Sequence, residues 1–494
     1  MSVLAALLSA PADPNNAVAK PSIRVAELEE RRALPRTLMG GSGAMRTAGT
    51  TYLPIHEEES KKTYYARIGG TTLYNGFEET VKSQVGKMFS EDVGLNDDVT
   101  NPTIKEILDD VDGQGRAISP FFMEAATRSM VDGICYVFID FPQLGPSSTL
   151  ADQRAAKARP YWVLVPAENV LGWKSESING QHTLTQVRIR EDVTLPDGRF
   201  GERLVERVRV LERGSFEVYE KTIQEDGEIR WIVQPELSGF TSWQDITFVP
   251  FYTNRSGFFE GQPALRTLAE LNQEHWISSS EQRHALTYSR FAMLFITGFE
   301  DHVKVVVGPQ KTVKGVIGSD AKYIESSGAG IAAGRLDLEA IERRMATAGM
   351  ELRVENAGSQ TATAAAIDSA ETNAGLRAVA QSHSDSLNLA LYFTGMMLGI
   401  PQPGTLEVYD DFADAEPPGE LTALLQVRSS GEISRAAFIN ELIRRKILVD
   451  TFDADADAAL LETEAAQLQG EAIDLLEQQT AMTQGAQQEE EETI

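Results

Sequence analysis

The sequence has little sulfur, little positive charge and no long apolar segment, and each shortage argues against a class of protein. Its one cysteine, Cys135, excludes a disulfide framework and a cysteine metal site, so we expect a reducing compartment and a buried thiol. With 73 acidic against 45 basic residues, the net charge of -28 argues against a general basic surface for nucleic acid or anionic membrane. The longest apolar run, LALYFTGMMLGI, has 12 residues, fewer than the ~20 of a membrane span. We expect a soluble, cytoplasmically made protein with no membrane partner.

Known catalytic signatures are missing from the sequence. It contains no GxSxG nucleophile elbow, HExxH zinc motif, Walker A loop or GxGxxG fingerprint. In the segment SHSDS the Ser, His and Asp side chains would point in different directions on a helix, so His383 is predicted to be a polar helix-face residue. His275 and His284 lie about 13 Å apart along one helix, too far to share a metal ion. We therefore predict that the protein is not an enzyme and has neither a cofactor nor a metal site.

The acidic segment DADADAALLETE, residues 453–464, has two interpretations. Asp453, Asp455, Asp457 and Glu464 have the spacing of the oxygen ligands in an EF-hand calcium loop. The sixth position of that loop requires a sharp turn, normally at glycine, but here it is Ala458 in an Ala-Leu run that favours a helix. Aspartate is also favoured at helix N-termini. A helix start is therefore the favoured interpretation, and calcium binding is the alternative.

Hydrophobic periodicity divides the chain into helical and strand-rich segments. Apolar residues recur at helical spacing over 61–130, as in the face formed by Phe77, Val81 and Val85. Residues 132–257 contain β-branched and aromatic runs such as GICYVFIDF, separated by turn residues, which predict strands. The predicted fold class is α+β, and the length suggests roughly three domains. Later helical patterns cover 262–290, 335–349 and, without a break, 363–399.

Six segments between residues 50 and 400 carry a family resemblance. None of them is a chemical signature, so the specificity comes from their order and from the succession of helix, insert, helix, loop and long helix between 262 and 399. In that order they resemble the portal proteins of tailed bacteriophages, rings at one capsid vertex through which DNA is packaged and ejected. The segments are YLPIHEEESKKTYYARI, LYNGFEETVKSQVGKMF, DDVDGQGRAISPFF, RPYWVLVPAENVLGW, PALRTLAELNQEHWISSSEQRHAL and YIESSGAGIAAGRLDLEAIERRMATAGMELR.

The resemblance implies a phage portal fold and gives each segment a place in it. Two stem helices would flank a β-containing clip, and a long spine helix would follow a loop that approaches DNA in the channel. The implied divisions are a peripheral N-terminal arm (1–60), an α/β wing (61–260), a first stem helix (261–290), a clip (291–334), a second stem helix (335–349), a tunnel loop (350–362), a spine helix (363–399), a wing return segment (400–417) and a C-terminal helical crown with an acidic tail (418–494).

The candidate site residues also come from this resemblance. Arg353 in the tunnel loop has two interpretations, a transient contact with a DNA phosphate or a salt bridge between subunits. Three arginines of the second stem helix, Arg335, Arg343 and Arg344, either face the channel or pair between neighbouring stem helices. The tunnel-loop candidates are Glu351, Arg353, Glu355, Asn356, Ser359 and Gln360.

The implied function is that of the ring channel for DNA packaging and ejection, which docks the terminase motor and then the tail adaptor. An acidic channel lining disfavours the contacts by which Lys and Arg bind phosphates. The implied partners are a homo-oligomer, expected to be a dodecamer, the large terminase, capsid and scaffolding proteins, a head-tail adaptor, and double-stranded DNA that passes without sequence-specific binding. The protein would assemble in the host cytoplasm and reside at the capsid vertex of the virion. Two alternatives are a ring-forming head-tail adaptor or scaffold without a DNA-translocating role, and a phage enzyme with dispersed catalytic residues.

Overall fold

A computed structural model of the chain describes residues 14–142, 158–224, 227–290, 293–297, 318, 320–324, 329–349, 362–412, 420–444, 447–449 and 452–464. Contacts divide the chain into two units, Met1–Phe412 and Ala413–Ile494. Among the described residues, none of the helices is long and apolar enough to cross a membrane.

Residues 14–60, the described part of the N-terminal segment, pack into the first unit, so the prediction of a peripheral arm is wrong for these residues. Its helices are α1 (Ile23–Met39) and α2 (Gly41–Ala48). Leu28 and Leu38 of α1 are fully buried. Arg32 donates to the carbonyl oxygens of Asp132 and Gly261, at 3.0 and 2.8 Å. The helix is amphipathic, and its arginines find buried acceptors that its sequence does not reveal.

Four further helices precede the central strands, as the periodicity predicts. They are α3 (Lys61–Gly70), α4 (Gly76–Met88), α5 (Pro102–Asp109) and α6 (Ile118–Asp132). The predicted apolar face of α4 is confirmed, since Phe77, Val81, Val85 and Met88 are at most 1% exposed. Gly133 ends α6 with φ +81, and a Cβ there would lie 2.0 Å from the carbonyl oxygen of Gln262. Only glycine fits this close approach of two backbones.

The centre of the first unit is a three-stranded antiparallel sheet that is buried on both faces. Its strands are β2 (Ile134–Asp140), β3 (Tyr161–Val165) and β10 (Phe248–Tyr252), in the order β10-β2-β3. Val137 and Ile139 belong to the large apolar cluster on the helical side, while Tyr136 and Phe138 belong to a second cluster on the other side. Burial on both faces explains why GICYVFIDF is continuously apolar instead of alternating. Burial also raises the pKa of the Cys135 thiol to about 12, as expected for an unreactive thiol.

A larger antiparallel sheet borders the second cluster. Its β4 to β8 lie side by side in chain order, with β9 paired to β7. Strands β5 and β6 are the longest, and their distal halves, residues 190–197 and 201–206, pair only with each other among the described strands. We call this part the ribbon. The strands are β4 (Val170–Ile178), β5 (Gln181–Asp197), β6 (Gly201–Glu212), β7 (Ser215–Ile223), β8 (Ile229–Val233) and β9 (Gly239–Phe240).

The last part of the first unit contains its longest helices. Here α7 (Arg266–Arg290) is followed by the antiparallel strands β13 (Met293–Thr297) and β14 (Asp320–Ile324), then by α8 (Ala329–Ala348) and α9 (Ala362–Leu398). Helix α8 begins six residues before the predicted start at 335, and Gln282 of α7 donates to the carbonyl oxygen of Ile331 at 2.7 Å, so the contact with α7 extends into this segment. Besides β13 with β14, two short strand pairs complete the unit. Strand β1 (Gly94–Leu95) pairs with β15 (Leu406–Glu407), and β11 (Arg255–Gly257) pairs with β12 (Glu260–Gly261).

The second unit is helical where it is described. It contains α10 (Glu420–Ser429), α11 (Arg435–Arg444) and a helical segment at 454–464. Arg435 donates to the carboxylate of Asp457 at 2.9 Å, which ties the last segment to α11. The acidic tail beyond residue 464 lies outside the described residues.

Candidate functional site

Helices α7 and α8 form an antiparallel pair that the strands β13 and β14 prolong. Side-chain contacts fix its register: Ser278 Oγ donates to Asp337 at 2.8 Å, and Arg344 donates to Glu274 at 2.8 Å. From the first contact to the second, the residue number increases on α8 and decreases on α7, so the two helices are antiparallel. The strand register continues the pairing, from Met293 opposite Ile324 to Thr297 opposite Asp320. We call α7, β13, β14 and α8 the stem hairpin.

The base of the stem hairpin is anchored in the large apolar cluster. Trp276, Ile341 and Met345 are at most 3% exposed and belong to this cluster. The side chain of Asn272 bridges to α4, accepting from the amide of Phe77 at 3.0 Å and donating to the carbonyl of Tyr74 at 2.8 Å. Between residues 281 and 340, none of the described side chains is buried. The hairpin therefore leaves the apolar cluster beyond Ser280 and returns to it at Ile341.

A buried ion pair supports this base from α3. Arg67 binds Glu59 through two hydrogen bonds, of 2.9 and 2.7 Å, and both side chains are at most 5% exposed. The same guanidinium donates to the carbonyl of Pro54 at 2.8 Å and reaches Ser280 Oγ of α7 at 3.4 Å. The hydrogen bond from Arg67 is the main reason that the pKa of Glu59 is lowered to about 2. These residues belong to the segment YLPIHEEESKKTYYARI, whose structural role is thus to brace α7.

The three predicted stem arginines have different environments. Arg344 pairs with Glu274 within the same chain, so its pairing partner lies on the other helix of the hairpin. Arg335 is 74% exposed on its side chain and lies 3.5 Å from Glu339, one turn away. Arg343 is exposed and makes no ion pair with any described residue.

The predicted tunnel loop lies outside the described residues except for Ala362, which is the first residue of α9. Its site candidates Glu351, Arg353, Glu355, Asn356, Ser359 and Gln360 are all outside the described residues. Its ends are described. Helix α8 ends at Ala348, where the amide of Gly349 donates to the carbonyl of Met345 at 2.8 Å, and α9 begins at Ala362. The loop interpretations of Arg353 therefore stay predictions.

Helix α9 is confirmed as one long helix, and its C-terminal half crosses the central sheet. Leu387, Ala390 and Leu391 are fully buried there. Trp162 of β3 donates its indole N–H to Thr394 Oγ at 2.9 Å. The helix thus ties the chain that follows residue 361 to the same core that anchors the stem hairpin.

His383 of α9 is fully buried, so the prediction of a polar helix-face residue is wrong. Its Nε2 lies 3.2 Å from Ser129 Oγ, and its ring packs against Phe122 and Phe251. Burial lowers the pKa of His383 to about 3, so the imidazole is neutral at physiological pH. The residues that surround it come from α6 and β10, which sequence spacing along α9 does not indicate.

The acidic segment at 453 starts a helix, as the favoured interpretation predicts. The Asp453 carboxylate accepts from the amides of Asp455 and Ala456, both at 3.0 Å, which is the N-cap geometry. Residues 454–464 are helical, so Asp455 and Asp457 do not lie in a loop. Among the described residues there is no group of three or more potential ligands arranged for a metal ion.

Comparisons with known proteins add a family match and structural similarities. A family model described as a domain of unknown function (DUF4055) matches residues 264–396, from the start of α7 into α9. No curated protein matches the chain. A chain from the neck of an empty GTA particle, computed with C6 symmetry, is similar at a TM-score of 0.39 and 10% identity, over 75% of this chain and 89% of that chain.

Two further solved structures are similar to the same degree. For a chain from the neck of the native GTA particle, computed with C12 symmetry, the TM-score is 0.38 at 10% identity, over 74% of this chain and 89% of that one. For a chain from the virion of the native gene transfer agent particle it is 0.37 at 10% identity, over 78% and 89%. At these TM-scores neither the fold nor the function of this chain follows from the similarities.

Proposed function

We propose that this chain is the subunit of a portal ring, the channel at a capsid vertex through which DNA is packaged and ejected. The observation that carries the proposal is the stem hairpin followed by α9. Two antiparallel helices, of 25 and 20 residues, are prolonged by a strand pair and followed by a helix of 37 residues. At 1.5 Å per residue the helices measure about 37, 30 and 55 Å, long enough to line a channel wall.

The anchoring of the hairpin suits a channel wall that must hold its shape while DNA moves past it. The base combines an apolar contact through Trp276 with the buried Arg67–Glu59 pair. Removing one partner of a buried pair typically costs about 3–5 kcal/mol, so this support is not easily released. The distal part of the hairpin is exposed in the described chain, which leaves it free to meet DNA, neighbouring copies or docking proteins.

The charge of the chain fits passage of DNA without retention. Each copy has a net charge of -28. Protein–DNA affinity comes largely from basic side chains that neutralise phosphates and release counterions, and an acidic wall offers few such contacts. Repulsion from such a wall would be felt within about 8 Å at physiological salt. In this proposal the protein is not an enzyme, and the motor activity belongs to a docked terminase.

Electron microscopy of the purified full chain tests the proposal. We expect rings of about twelve subunits with an open central channel when particles are viewed along the axis. A monomer at all concentrations, or a closed assembly without a channel, would contradict it.

A packaging experiment separates the portal from an adaptor or scaffold. Capsids assembled without the chain should be unable to take up DNA if it is the portal. If it is a head-tail adaptor or scaffold, a packaging reaction that omits it should still yield DNA-filled capsids, and the defect should appear only in tail attachment or in capsid assembly.

A further inference from the structure

The N-terminal segment covers part of one face of the larger sheet. Val18 and Ala19 of this segment, together with Tyr219 of β7, pack against a small buried group on that face. The members of the small buried group are Leu171, Val208, Val210 and Trp231. The opposite face of the same sheet belongs to the second apolar cluster. The segment therefore packs on the side of the sheet that faces away from that cluster.

The segment crosses this face from β4 to β8. The amide of Ser22 donates to the carbonyl oxygen of Leu171 in β4 at 2.7 Å. Arg188 of β5 donates to three carbonyl oxygens between residues 17 and 20, each at 2.8 Å. The 3-10 turn Pro14–Ala17 lies against β8, the strand at the end of the described sheet. Residues 1–13 are therefore joined to the described chain next to β8.

The same face exposes three aliphatic side chains beyond the small buried group. In a strand every second side chain points to the same side of the sheet. Ile229 lies two residues from Trp231 and opposite Ile223 of β7, so both isoleucines are on the covered side. Leu204 of β6 is four residues from Val208 and is on this side as well. We call Ile223, Leu204 and Ile229 the outer row, and they are 69, 67 and 48% exposed.

An uncharged, aliphatic occupant suits the outer row. Glu206 and Lys221 each lie two residues from it and already pair with each other at 2.5 Å. Covering neighbouring aliphatic side chains removes apolar surface from water, and the free energy gained is proportional to the area removed. The row therefore fits a short aliphatic segment better than a charged partner.

Residues 1–13 have this composition and lie within reach of the outer row. The sequence MSVLAALLSAPAD contains one charged side chain, Asp13, at the end that joins the described chain. The large apolar residues of the segment are Met1, Val3, Leu4, Leu7 and Leu8. Ile229 is about 7 Å from Trp231 along β8, whereas an extended chain of this length spans up to about 45 Å. The segment can therefore reach the outer row from Pro14.

We propose that residues 1–13 fold back over the outer row of their own subunit and extend the cover that Val18 and Ala19 begin. Their aliphatic side chains then contact Leu204, Ile223 and Ile229, which completes an apolar layer across β6, β7 and β8. The contact needs no second copy, so it is independent of the proposed portal function.

Cysteine labelling measures the cover, because the one native thiol, Cys135, is buried. Ile229→Cys places a thiol in the outer row. The matched control Ile232→Cys lies on the opposite face of the same strand, where Ile232 is 43% exposed against 48% for Ile229. Each variant is made with the native segment and with Leu4→Asp/Leu7→Asp, which places charge in the segment and prevents apolar docking.

Alkylation with a small maleimide should distinguish the two positions. For Ile229→Cys the rate should be about tenfold lower with the native segment than with the two aspartates, the factor given by a docking free energy of about 1.4 kcal/mol. For Ile232→Cys the two rates should agree. Equal rates for Ile229→Cys, or the same change in both variants, would overturn the proposal. Should the aspartate variant not fold by circular dichroism, the comparison is made with a chain that begins at Pro14.

A disulfide experiment shows which copy supplies the segment. Leu7→Cys/Ile223→Cys places one thiol in the segment and one in the outer row. Mild oxidation should give an internal disulfide between the two introduced thiols, seen as a monomer on a non-reducing gel and as a linked peptide pair by mass spectrometry. Disulfide-linked dimers or larger species would assign the segment to a neighbouring copy and overturn the proposal, whether or not rings form.

Discussion

His383 should make the first unit sensitive to acid well above the range in which carboxylates titrate. Its imidazole is fully buried, and burial lowers its pKa from 6.5 to about 3. The unfolded chain therefore binds a proton that the folded chain excludes. The stabilisation from His383 is complete above about pH 6.5 and is lost progressively as the pH falls toward 3.

The size of the effect follows from the same shift. Each pH unit below the unfolded pKa costs about 1.4 kcal/mol, so His383 alone should reduce the free energy of unfolding by about 2 kcal/mol at pH 5. Its only described hydrogen-bond partner is the neutral Ser129, and within the described part of the chain no carboxylate contacts the imidazole. Replacement by glutamine, His383→Gln, keeps a polar side chain of similar length and removes the titration.

Denaturant unfolding of the wild type and His383→Gln, followed by tryptophan fluorescence at pH 7.5 and pH 5, measures the difference. All five tryptophans precede Phe412, so the signal reports the first unit alone. Protein concentration must be equal, because assembly adds to apparent stability. We expect the variant to lose about 2 kcal/mol less than the wild type between the two pH values. An equal loss in both proteins would refute the assignment of a buried neutral imidazole.

Three further predictions concern other parts of the chain. Arg36→Ala should destabilise the first unit by about 3–5 kcal/mol, because it leaves the buried carboxylate of Asp132 without its ion-pair partner. In the same unfolding assay the control Arg266→Ala, which breaks only an exposed ion pair, should reduce the free energy of unfolding by less than about 1 kcal/mol. Similar losses in the two variants would show that burial of the pair does not matter. Asp453→Ala should remove an N-cap worth about 1 kcal/mol, seen as faster amide exchange over 454–464. Calorimetry of the wild type should detect no micromolar calcium binding, and binding that disappears in this variant would revive the calcium loop. Arg353→Ala should reduce DNA packaging with rings intact, and normal packaging would reject the phosphate contact.

Hydrophobic periodicity predicts the helices and strands whose buried face is visible in the spacing of their own apolar residues. The face of α4 and the unbroken course of α9 are readable because a helix repeats its apolar residues every three or four positions. The central strand β2 is readable as a doubly buried strand because no polar residue interrupts it until Asp140. The order of α7, strands, α8 and α9 is likewise present in the sequence.

Contacts between distant segments are not readable in this way. Arg344 pairs with Glu274 because two helices 70 residues apart adopt one register, and periodicity defines a face but not its partner. His383 has a polar neighbourhood in sequence, yet the fold places it between two phenylalanines. In the N-terminal helix α1, the burial of Arg32 depends on the carbonyl oxygens of Asp132 and Gly261, which lie 100 and 229 residues further along the chain.

The ribbon of β5 and β6 has a practical consequence. Among the described strands, the backbone of its two strands pairs only with each other, and the side chain of Glu206 at its base binds Lys221 of β7. The turn at 198–200 joins the two strands, with Gly198 at φ +70 and Phe200 87% exposed. Separating the two strands at that turn breaks a few backbone hydrogen bonds and disturbs neither apolar cluster. A peptide inserted at this turn should therefore reduce the free energy of unfolding only slightly. The turn is therefore a suitable position for an affinity tag or fluorescent label that leaves the stem hairpin untouched.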